Sequence, residues 1–388
     1  MSTKNNIFHS IVTTIFLVSL SISTAVDARQ LNYAISWPTG SISADAAYAY
    51  AEAVEKYSDG KINVKVFPLT LLNAAEASPG TRDGIADIGY IFAGYYPSEY
   101  PNINFISDTS MQLNLLDSQM TKDGLGAAAF QGAISEYILF NCHECLNEYK
   151  SQNQVYTSHG ATSEYGLLCT SAVSNLSEIE GKRLRVIGSN WSRWADEVGA
   201  QSVSLTINEM MEGLDQGVID CTISDPAELI NLRLIEVVSD ITMGVPGGIY
   251  AGTSPTNINR DVWQELDSND RRALLRAGAV MTAQGPWSYY EVGQEALQQA
   301  KSEGIEIHTP QADLVEATES FSDEDMSTII DYYTERYDIA NAEQKLVTFG
   351  DLLDRWIKLV QGVENIDQLT DLYWNEIFSK IDIDSYGL

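Results

Sequence analysis

The sequence predicts an α/β protein built from two similar units. Short apolar stretches with alternating side chains, typical of strands, are separated by segments whose apolar residues recur at helical spacing. This strand–helix order runs through residues 31–90 and begins again in residues 165–223. Strands that alternate with helices usually pair in parallel and are covered by those helices, so each unit is expected to contain a largely parallel sheet.

Apolar spacing and turn residues locate the elements. Ile42, Ala46, Tyr50 and Val54 recur at helical spacing, and Asp59-Gly60 ends that helix. The first unit is expected to contain a strand over 31–36, a helix over 42–57, a strand over 62–68, a helix that ends before Gly84 and a strand over 85–90. The second is expected to contain strands over 165–170, 184–187, 203–205 and 218–223, with a helix that ends at Gly199 and a helix-opening capping box over 206–209.

The last third of the chain is expected to be helical. Residues 261–302 predict a long helix interrupted at Gly285-Pro286. Leu352, Trp356 and Leu359 lie on one face of a later amphipathic helix, and we expect this apolar face to pack against the core.

Length and charge limit the possible functions. The chain has 388 residues, enough for two ordinary domains. It carries 54 Asp and Glu side chains against 23 Lys and Arg, a formal net charge of −31. A surface this acidic repels the phosphates of nucleic acids and anionic lipids, so neither is expected as a partner.

Residues 1–28 have the composition of a secretory signal peptide. Lys4 precedes an apolar run, and small residues before Arg29 offer a cleavage site after Ala28. The alternative is an uncleaved anchor, although the run is short and rich in Ser and Thr. We expect a mature chain in the periplasm that is not stably inserted in the membrane.

Four cysteines in an exported chain suggest two disulfides, for which we expect Cys142–Cys145 and Cys169–Cys221. Four cysteines allow three pairings, and the sequence does not choose among them. A metal site or a redox role at the C-x-x-C stays open. A closed zinc site needs more ligands than this segment supplies, and no strand–helix–strand unit surrounds it. We expect no metal and no cofactor.

The sequence contains no serine-hydrolase elbow, no zinc-protease helix and no phosphate-binding loop, so we expect a binding protein and not an enzyme. Arg185 lies within a strand among apolar neighbours. Its partner is either an acidic side chain or an anionic ligand, and elementary physics leaves both open. An exported thiol-redox or hydrolytic enzyme, and a binding component of another transporter or of a sensor, remain alternatives.

Four segments together resemble the DctP-type substrate-binding proteins of TRAP transporters. They are residues 60–68 (G-K-I-x-V-x-V-F-P), 83–88 (D-G-I-A-D-I), 181–186 (G-K-R-L-R-V) and 199–220 (G-A, then E, then L-x-x-G-V-I-D). Their order and spacing match that family over most of residues 30–310.

The resemblance implies a two-lobed, type II-like periplasmic binding protein with crossing hinge strands and a long inter-lobe helix. We expect lobe I over 29–164 and about 251–290, and lobe II over 165–250 and about 291–320. The chain beyond about residue 320 is longer than the smaller family members, and we expect a helical C-terminal extension over 321–388. The resemblance also implies capture of a small organic anion, such as a carboxylate, sulfonate or zwitterion. The ligand would then be delivered to the membrane subunits of a TRAP permease without ATP.

The family's carboxylate-binding arginine falls on Arg185, and its second arginine falls near Ser171, so a sialic-acid ligand is not expected. The family's polar contact falls near Ser224 or Asp225, although Asp225 could instead cap the helix that follows. The residues expected to form the walls, or alternatively to pack in the core or hinge, are Ser36, Trp37, Tyr90, Phe92, Tyr165, Trp191 and Tyr250.

Overall fold

The computed structural model describes residues 28–115 and 124–388, so the predicted signal peptide, apart from Ala28, lies outside the described residues. The strands are β1 Arg29–Ile35, β2 Ile62–Pro68, β3 Ile88–Phe92, β4 Gln154–Val155, β5 Gly166–Cys169, β6 Arg183–Val186, β7 Gln201–Ser204, β8 Cys221–Ser224, β9 Asp240–Pro246, β10 Thr253–Asn259 and β11 Glu306–His308.

The described α-helices are α1 Ile42–Tyr57, α2 Ala77–Arg82, α3 Pro101–Ser107, α4 Leu125–Phe140, α5 His143–Ser151, α6 Leu176–Ile179, α7 Ser189–Glu197, α8 Met210–Asp215, α9 Glu228–Asn231, α10 Arg260–Glu265, α11 Ser268–Glu303, α12 Ala312–Tyr337, α13 Ala342–Leu359 and α14 Ile366–Glu376. Short 3-10 helices cover Ala93–Tyr95, Asp108–Leu115, Ile207–Glu209, Leu234–Glu236 and Phe378–Lys380.

The strands form two sheets, as the repeated strand–helix pattern predicts. The first sheet has the order β2-β1-β3-β10-β4 and the second β11-β9-β5-β8-β6-β7. Strands β1, β2 and β3 are mutually parallel, as are β6, β7 and β8, whereas β10 and β5 run antiparallel to their neighbours. We call the part of the chain around each sheet the first and the second lobe; the predicted α/β, two-lobed fold class is confirmed.

Two segments cross between the sheets. Residues 156–165 lead from β4 to β5, and residues 247–252 lead back from β9 to β10. They pair with each other: the Thr162 amide donates to the Tyr250 carbonyl oxygen at 3.0 Å, and the Tyr165 amide to that of Gly248 at 2.9 Å. These are the predicted crossing hinge strands.

The long helix α11 spans both lobes, since it packs on α1 in the first and on α9 and β11 in the second. The predicted interruption at Gly285-Pro286 is wrong, because the helix continues through both residues. Pro286 cannot donate to the carbonyl of Thr282, but the Gln131 side chain donates to that oxygen instead. The chain breaks earlier, between α10 and α11, where Asp267 caps α11 by accepting from the amides of residues 269 and 270.

The C-terminal helices pack on the rest of the protein as predicted. Trp356 of α13 is fully buried and covers Gly132 of α4, where a Cβ atom would lie 2.3 Å from the indole ring. Its Nε1 donates to Glu136 Oε2 at 2.7 Å. Helix α12 contacts both α7 and the 3-10 helix Asp108–Leu115, so it lies against both lobes.

The structure joins Cys142 to Cys145 and Cys169 to Cys221, which is the expected pairing. The second disulfide links the paired strands β5 and β8. Within residues 28–115 and 124–388, no helix combines the length and hydropathy that crossing a bilayer requires.

Replacing Trp356 should strongly destabilise the protein. We expect Trp356→Ala to lower the free energy of unfolding by about 3–5 kcal/mol, because it leaves a cavity over α4 and removes one of the two donors to Glu136 Oε2, the other being Arg355. Urea denaturation measures the change. Val347→Ala, at a position on α13 that is 58% exposed, is the control and should change stability by less than about 0.5 kcal/mol. Equal small losses from both variants would contradict the packing described here.

His159, in the first crossing segment, should make stability depend on pH. Its Nε2 lies 2.7 Å from the Ala251 carbonyl oxygen, to which it donates, and its buried Nδ1 has no partner in the described chain. Burial lowers the pKa of His159 from 6.5 to about 4, since a proton on Nδ1 would find no acceptor. The neutral ring therefore stabilises the fold above pH 6.5, and this contribution is lost as the pH falls through 6.5 toward 4.

Between pH 7.5 and pH 5, the free energy of unfolding should fall by about 2 kcal/mol more in the wild type than in His159→Gln. Urea denaturation of both proteins at the two pH values gives this difference. Other titrating groups are present in both proteins and cancel. Parallel pH dependences would show that the ring is not held neutral.

Candidate functional site

A largely enclosed cavity lies between the two lobes. It lies at the carboxyl ends of the parallel strands of both sheets, where α/β proteins commonly bind ligands. Its lining residues are Trp37, Tyr90, Phe92, Gly160, Ala161, Thr162, Tyr165, Arg185, Ile187, Ile207, Ser224, Glu228, Tyr250, Thr253, Gly285 and Tyr289. All except Gly285 are buried, so the lobes are closed over the cavity.

Arg185 supplies a buried positive charge to this cavity. The residue is 1% exposed and lies in β6. Its Nε donates to the Leu205 carbonyl oxygen at 2.9 Å and its Nη2 to the Tyr95 hydroxyl at 2.8 Å. No acidic side chain of the described residues forms an ion pair with it, and Nη1 forms no hydrogen bond within this part of the chain. Donors of the guanidinium therefore remain for an anion in the cavity.

Tyr95 connects the two lobes at this charge. It lies in the first lobe, yet its hydroxyl oxygen accepts from Arg185 and from the Ile207 amide at 2.8 Å, both in the second. Burial raises the pKa of Tyr95, while the neighbouring Arg185 lowers it. Asn208 makes a similar connection, because it accepts from the Ala74 amide at 3.2 Å and donates to the Ser36 carbonyl at 3.0 Å.

An aromatic wall begins at Tyr95. The Phe92 ring centroid lies 5.5 Å from that of Tyr95, 5.2 Å from that of Tyr90 and 6.2 Å from those of Trp37 and Tyr250. The wall can therefore contact a flat or apolar ligand body while Arg185 binds its charge.

Seven of the ten predicted binding residues line the cavity: Trp37, Tyr90, Phe92, Tyr165, Arg185, Ser224 and Tyr250. Trp191 lies behind the wall, where it stacks on Tyr165 with ring centroids 4.6 Å apart and donates to the Gly247 carbonyl. Ser36 is buried but is not a lining residue, and its carbonyl accepts from Asn208.

Asp225 is also not a lining residue. Its carboxylate accepts from the Ser163 amide at 2.8 Å, the Ser163 hydroxyl at 2.6 Å and the Ala227 amide at 2.9 Å. The contact with Ala227 does not cap the following helix, whose N-cap residue is Ala227 without a side-chain capping bond. The two contacts with Ser163 hold the second lobe to the hinge. Burial raises the pKa of Asp225 to about 7 in spite of these three donors.

Sequence reasoning missed Glu228, which lies in α9, four residues after the end of β8. It is 4% exposed and lines the cavity, and Oε2 has no hydrogen-bond partner within the described chain. Nothing local marks Glu228 among 54 acidic residues, although a carboxyl near the carboxyl end of a strand is a usable signal. Sequence reasoning also missed Tyr289 on α11, because it predicted this long helix without predicting which of its faces lies toward the cavity.

The C-x-x-C lies apart from this cavity. Both of its cysteines are buried and form a disulfide, so neither sulfur is present as a thiolate ligand. Among the described residues, His, Cys, Asp and Glu side chains form no group of three that could hold a metal ion.

The amino-acid sequence of this chain is similar to those of known proteins. The model of the DctP family, described as bacterial extracellular solute-binding protein, family 7, matches residues 33–329. The chain is also similar to a solute-binding protein from Albidiferax ferrireducens, with 21% identity over 259 residues, which are 66% of this chain and 69% of that protein.

Two solved structures share the fold. A TRAP solute-binding protein from Rhodoferax ferrireducens, in complex with copurified benzoate, has a TM-score of 0.73 and 16% identity, with 85% of this chain and 99% of that chain covered. A TRAP periplasmic solute-binding protein from Bordetella bronchiseptica, with bound (R)- and (S)-mandelate, has a TM-score of 0.70 and 20% identity, with 84% and 99% covered. Since the family model matches more than half of its length, the chain belongs to the DctP family of bacterial extracellular solute-binding proteins.

Proposed function

We propose that this protein is the extracytoplasmic receptor of a TRAP transporter and that it binds a small organic acid in the cavity between its lobes. The observation that carries the proposal is Arg185, a buried guanidinium without an acidic partner among the described residues, facing an aromatic cavity. After removal of residues 1–28 the protein would act in the periplasm. It would deliver its ligand unchanged to the membrane subunits of the permease.

A carboxylate is the partner that this geometry favours. Guanidinium N–H groups match the two oxygens of a carboxylate with parallel hydrogen bonds, and exclusion of water strengthens the ion pair. A sulfonate offers the same oxygens. The aromatic wall favours a ligand with a ring or an apolar body, and the benzoate and mandelate bound by the two related proteins have both features.

Closure follows from contacts that both lobes make together. Tyr95 accepts from Arg185 and Ile207, and Asn208 bonds Ala74 and Ser36, across the gap between the lobes. A ligand that binds both Arg185 and the aromatic wall stabilises the closed form over the open one, which the permease can then recognise.

Arg185→Ala should remove binding while the fold is kept. We expect the affinity for each carboxylate that the wild type binds, in a panel including benzoate and mandelate, to fall at least about hundredfold, because the charged hydrogen bonds are lost. A thermal-shift screen finds the ligands and calorimetry measures their affinities. Circular dichroism verifies the fold of the variant.

Arg183→Ala is the matched control. Arg183 lies in the same strand, but its guanidinium is 40% exposed and pairs with Asp220 at 2.7 Å, away from the cavity. This variant should bind as the wild type does. Undiminished affinity in Arg185→Ala, or an equal loss in both variants, would contradict the proposed role of Arg185.

Tyr95→Phe should weaken binding through closure. The variant leaves the Arg185 and Ile207 donors without their acceptor in the closed form, whereas water solvates them in the open form. We expect the affinity to fall by roughly tenfold to hundredfold, measured by calorimetry.

Tyr96→Phe provides the control for this effect. The Tyr96 hydroxyl bonds Ala74 and Ser78, all within the first lobe, so its loss should change stability but leave affinity within about threefold. If Tyr95→Phe binds as tightly as Tyr96→Phe does, Tyr95 has no role in closure.

A further inference from the structure

Two buried polar groups in the cavity have no hydrogen-bond partner in the part of the chain that the structure describes. They are Oε2 of Glu228, from the second lobe, and Nε1 of Trp37, from the first. Buried polar atoms are nearly always paired, since an unpaired one loses its bonds to water without replacement. Both residues line the same cavity, which indicates that a bound molecule forms the missing hydrogen bonds.

These groups lie beside Tyr90, a position that we call the polar end of the cavity, whereas Arg185 contacts Tyr95. Tyr90 is the neighbour of both, because its hydroxyl lies close to the Trp37 indole and to the Glu228 carboxyl. The Phe92 ring lies between Tyr90 and Tyr95, at 5.2 and 5.5 Å, and Tyr95 holds Arg185. Among the described residues Glu228 and Arg185 form no ion pair with each other, so the polar end and the Arg185 guanidinium can each bind a ligand group.

The polar end is supported by groups from both lobes. Ser43, in the first turn of α1, lies 3.3 Å from the Tyr90 hydroxyl and 3.4 Å from that of Tyr289. Asn231, three residues after Glu228 on α9, accepts from the Ile42 amide of the first lobe at 3.1 Å. These contacts fix the position of Glu228 against the first lobe in the closed form.

The ionisation of Glu228 limits what it can bind. Burial, together with the nearby Asp225, raises the pKa of Glu228 well above its usual range, against the opposing effects of Asn231, Tyr289 and Arg185. A neutral carboxyl suits a neutral polar group. An ammonium group would instead require the ionised form in a site that disfavours it.

We propose that Glu228 and Trp37 form a second ligand subsite for a neutral group that both donates and accepts a hydrogen bond. The ligand is therefore a hydroxy acid or a carboxylic acid with an amide, and not a carboxylate with a purely apolar body. This inference rests on the proposed function, because the Arg185 site must bind the carboxylate first. Because Trp37 and Glu228 come from different lobes, the same ligand group also joins the lobes.

Matched pairs of acids test the subsite. Benzoate is compared with 3-hydroxybenzoate, and cyclopentanecarboxylate with pyroglutamate, its ring amide counterpart. Calorimetry on the wild type should give at least a tenfold preference for the polar member of one pair or both. Glu228→Leu should reduce this preference by about tenfold, whereas Glu228→Gln, which keeps the shape and an acceptor oxygen, should retain most of it.

Trp37→Phe keeps an aromatic ring and removes Nε1, so it tests the subsite even if Glu228→Leu fails to fold, and it should also reduce the preference. Glu164→Gln is the control, because Glu164 lines a neighbouring cavity and not this one, and the preference should persist. A wild type without preference, or a preference unchanged in Glu228→Leu and Trp37→Phe, would overturn the subsite.

The two proposals fail in different ways. If the acids bind, and binding depends on Arg185, but the preference does not depend on Glu228 or Trp37, only the subsite is wrong. If no acid binds the wild type, or if binding is independent of Arg185, the proposed function itself is wrong and the subsite is overturned with it.

Discussion

The cavity depends on the guanidinium of Arg185, which is buried without a carboxylate partner among the residues that the structure describes. Moving a charge out of water costs several kcal/mol, and the carbonyl of Leu205 and the hydroxyl of Tyr95 offset only part of that cost. An anion in the cavity offsets more of it. The closed arrangement around Arg185 is therefore favoured by a ligand with a negative group, which is the physical basis of selection for acids.

The hinge brings the two lobes together around this charge. Gly285 of α11 lies close to the first crossing segment, where a Cβ atom would be 2.9 Å from the Ala161 carbonyl oxygen. Gln131 forms hydrogen bonds with both α11 and the crossing segment. Its Nε2 donates to the Thr282 carbonyl, and its Oε1 accepts from the Ala161 amide at 2.5 Å. One buried glutamine thus connects helix α4, helix α11 and the hinge, and keeps α11 continuous at Pro286.

Residues at or just beyond the end of a strand were predictable as wall residues, because the carboxyl ends of parallel strands lie at the site. Trp37, Phe92 and Ser224 are of this kind. Ser36 was included with Trp37, but it lies in the bend after β1, where its carbonyl accepts from Asn208, and only Trp37 lines the cavity. The prediction for Asp225 left a capping role open, and its three donors explain why its carboxylate does not reach the ligand cavity.

Periodicity, turn residues and ordered motifs were sufficient to establish two α/β units, the family resemblance and Arg185 as the candidate cation, because each of these is encoded over a few neighbouring residues. Which polar groups remain unpaired depended on contacts between distant parts of the chain. Gln131 and Thr282, for example, are 151 residues apart. Whether a buried hydrogen-bonding group finds a partner is settled by packing in three dimensions. The unpaired Oε2 of Glu228 and the uninterrupted α11 therefore emerged only from the folded molecule.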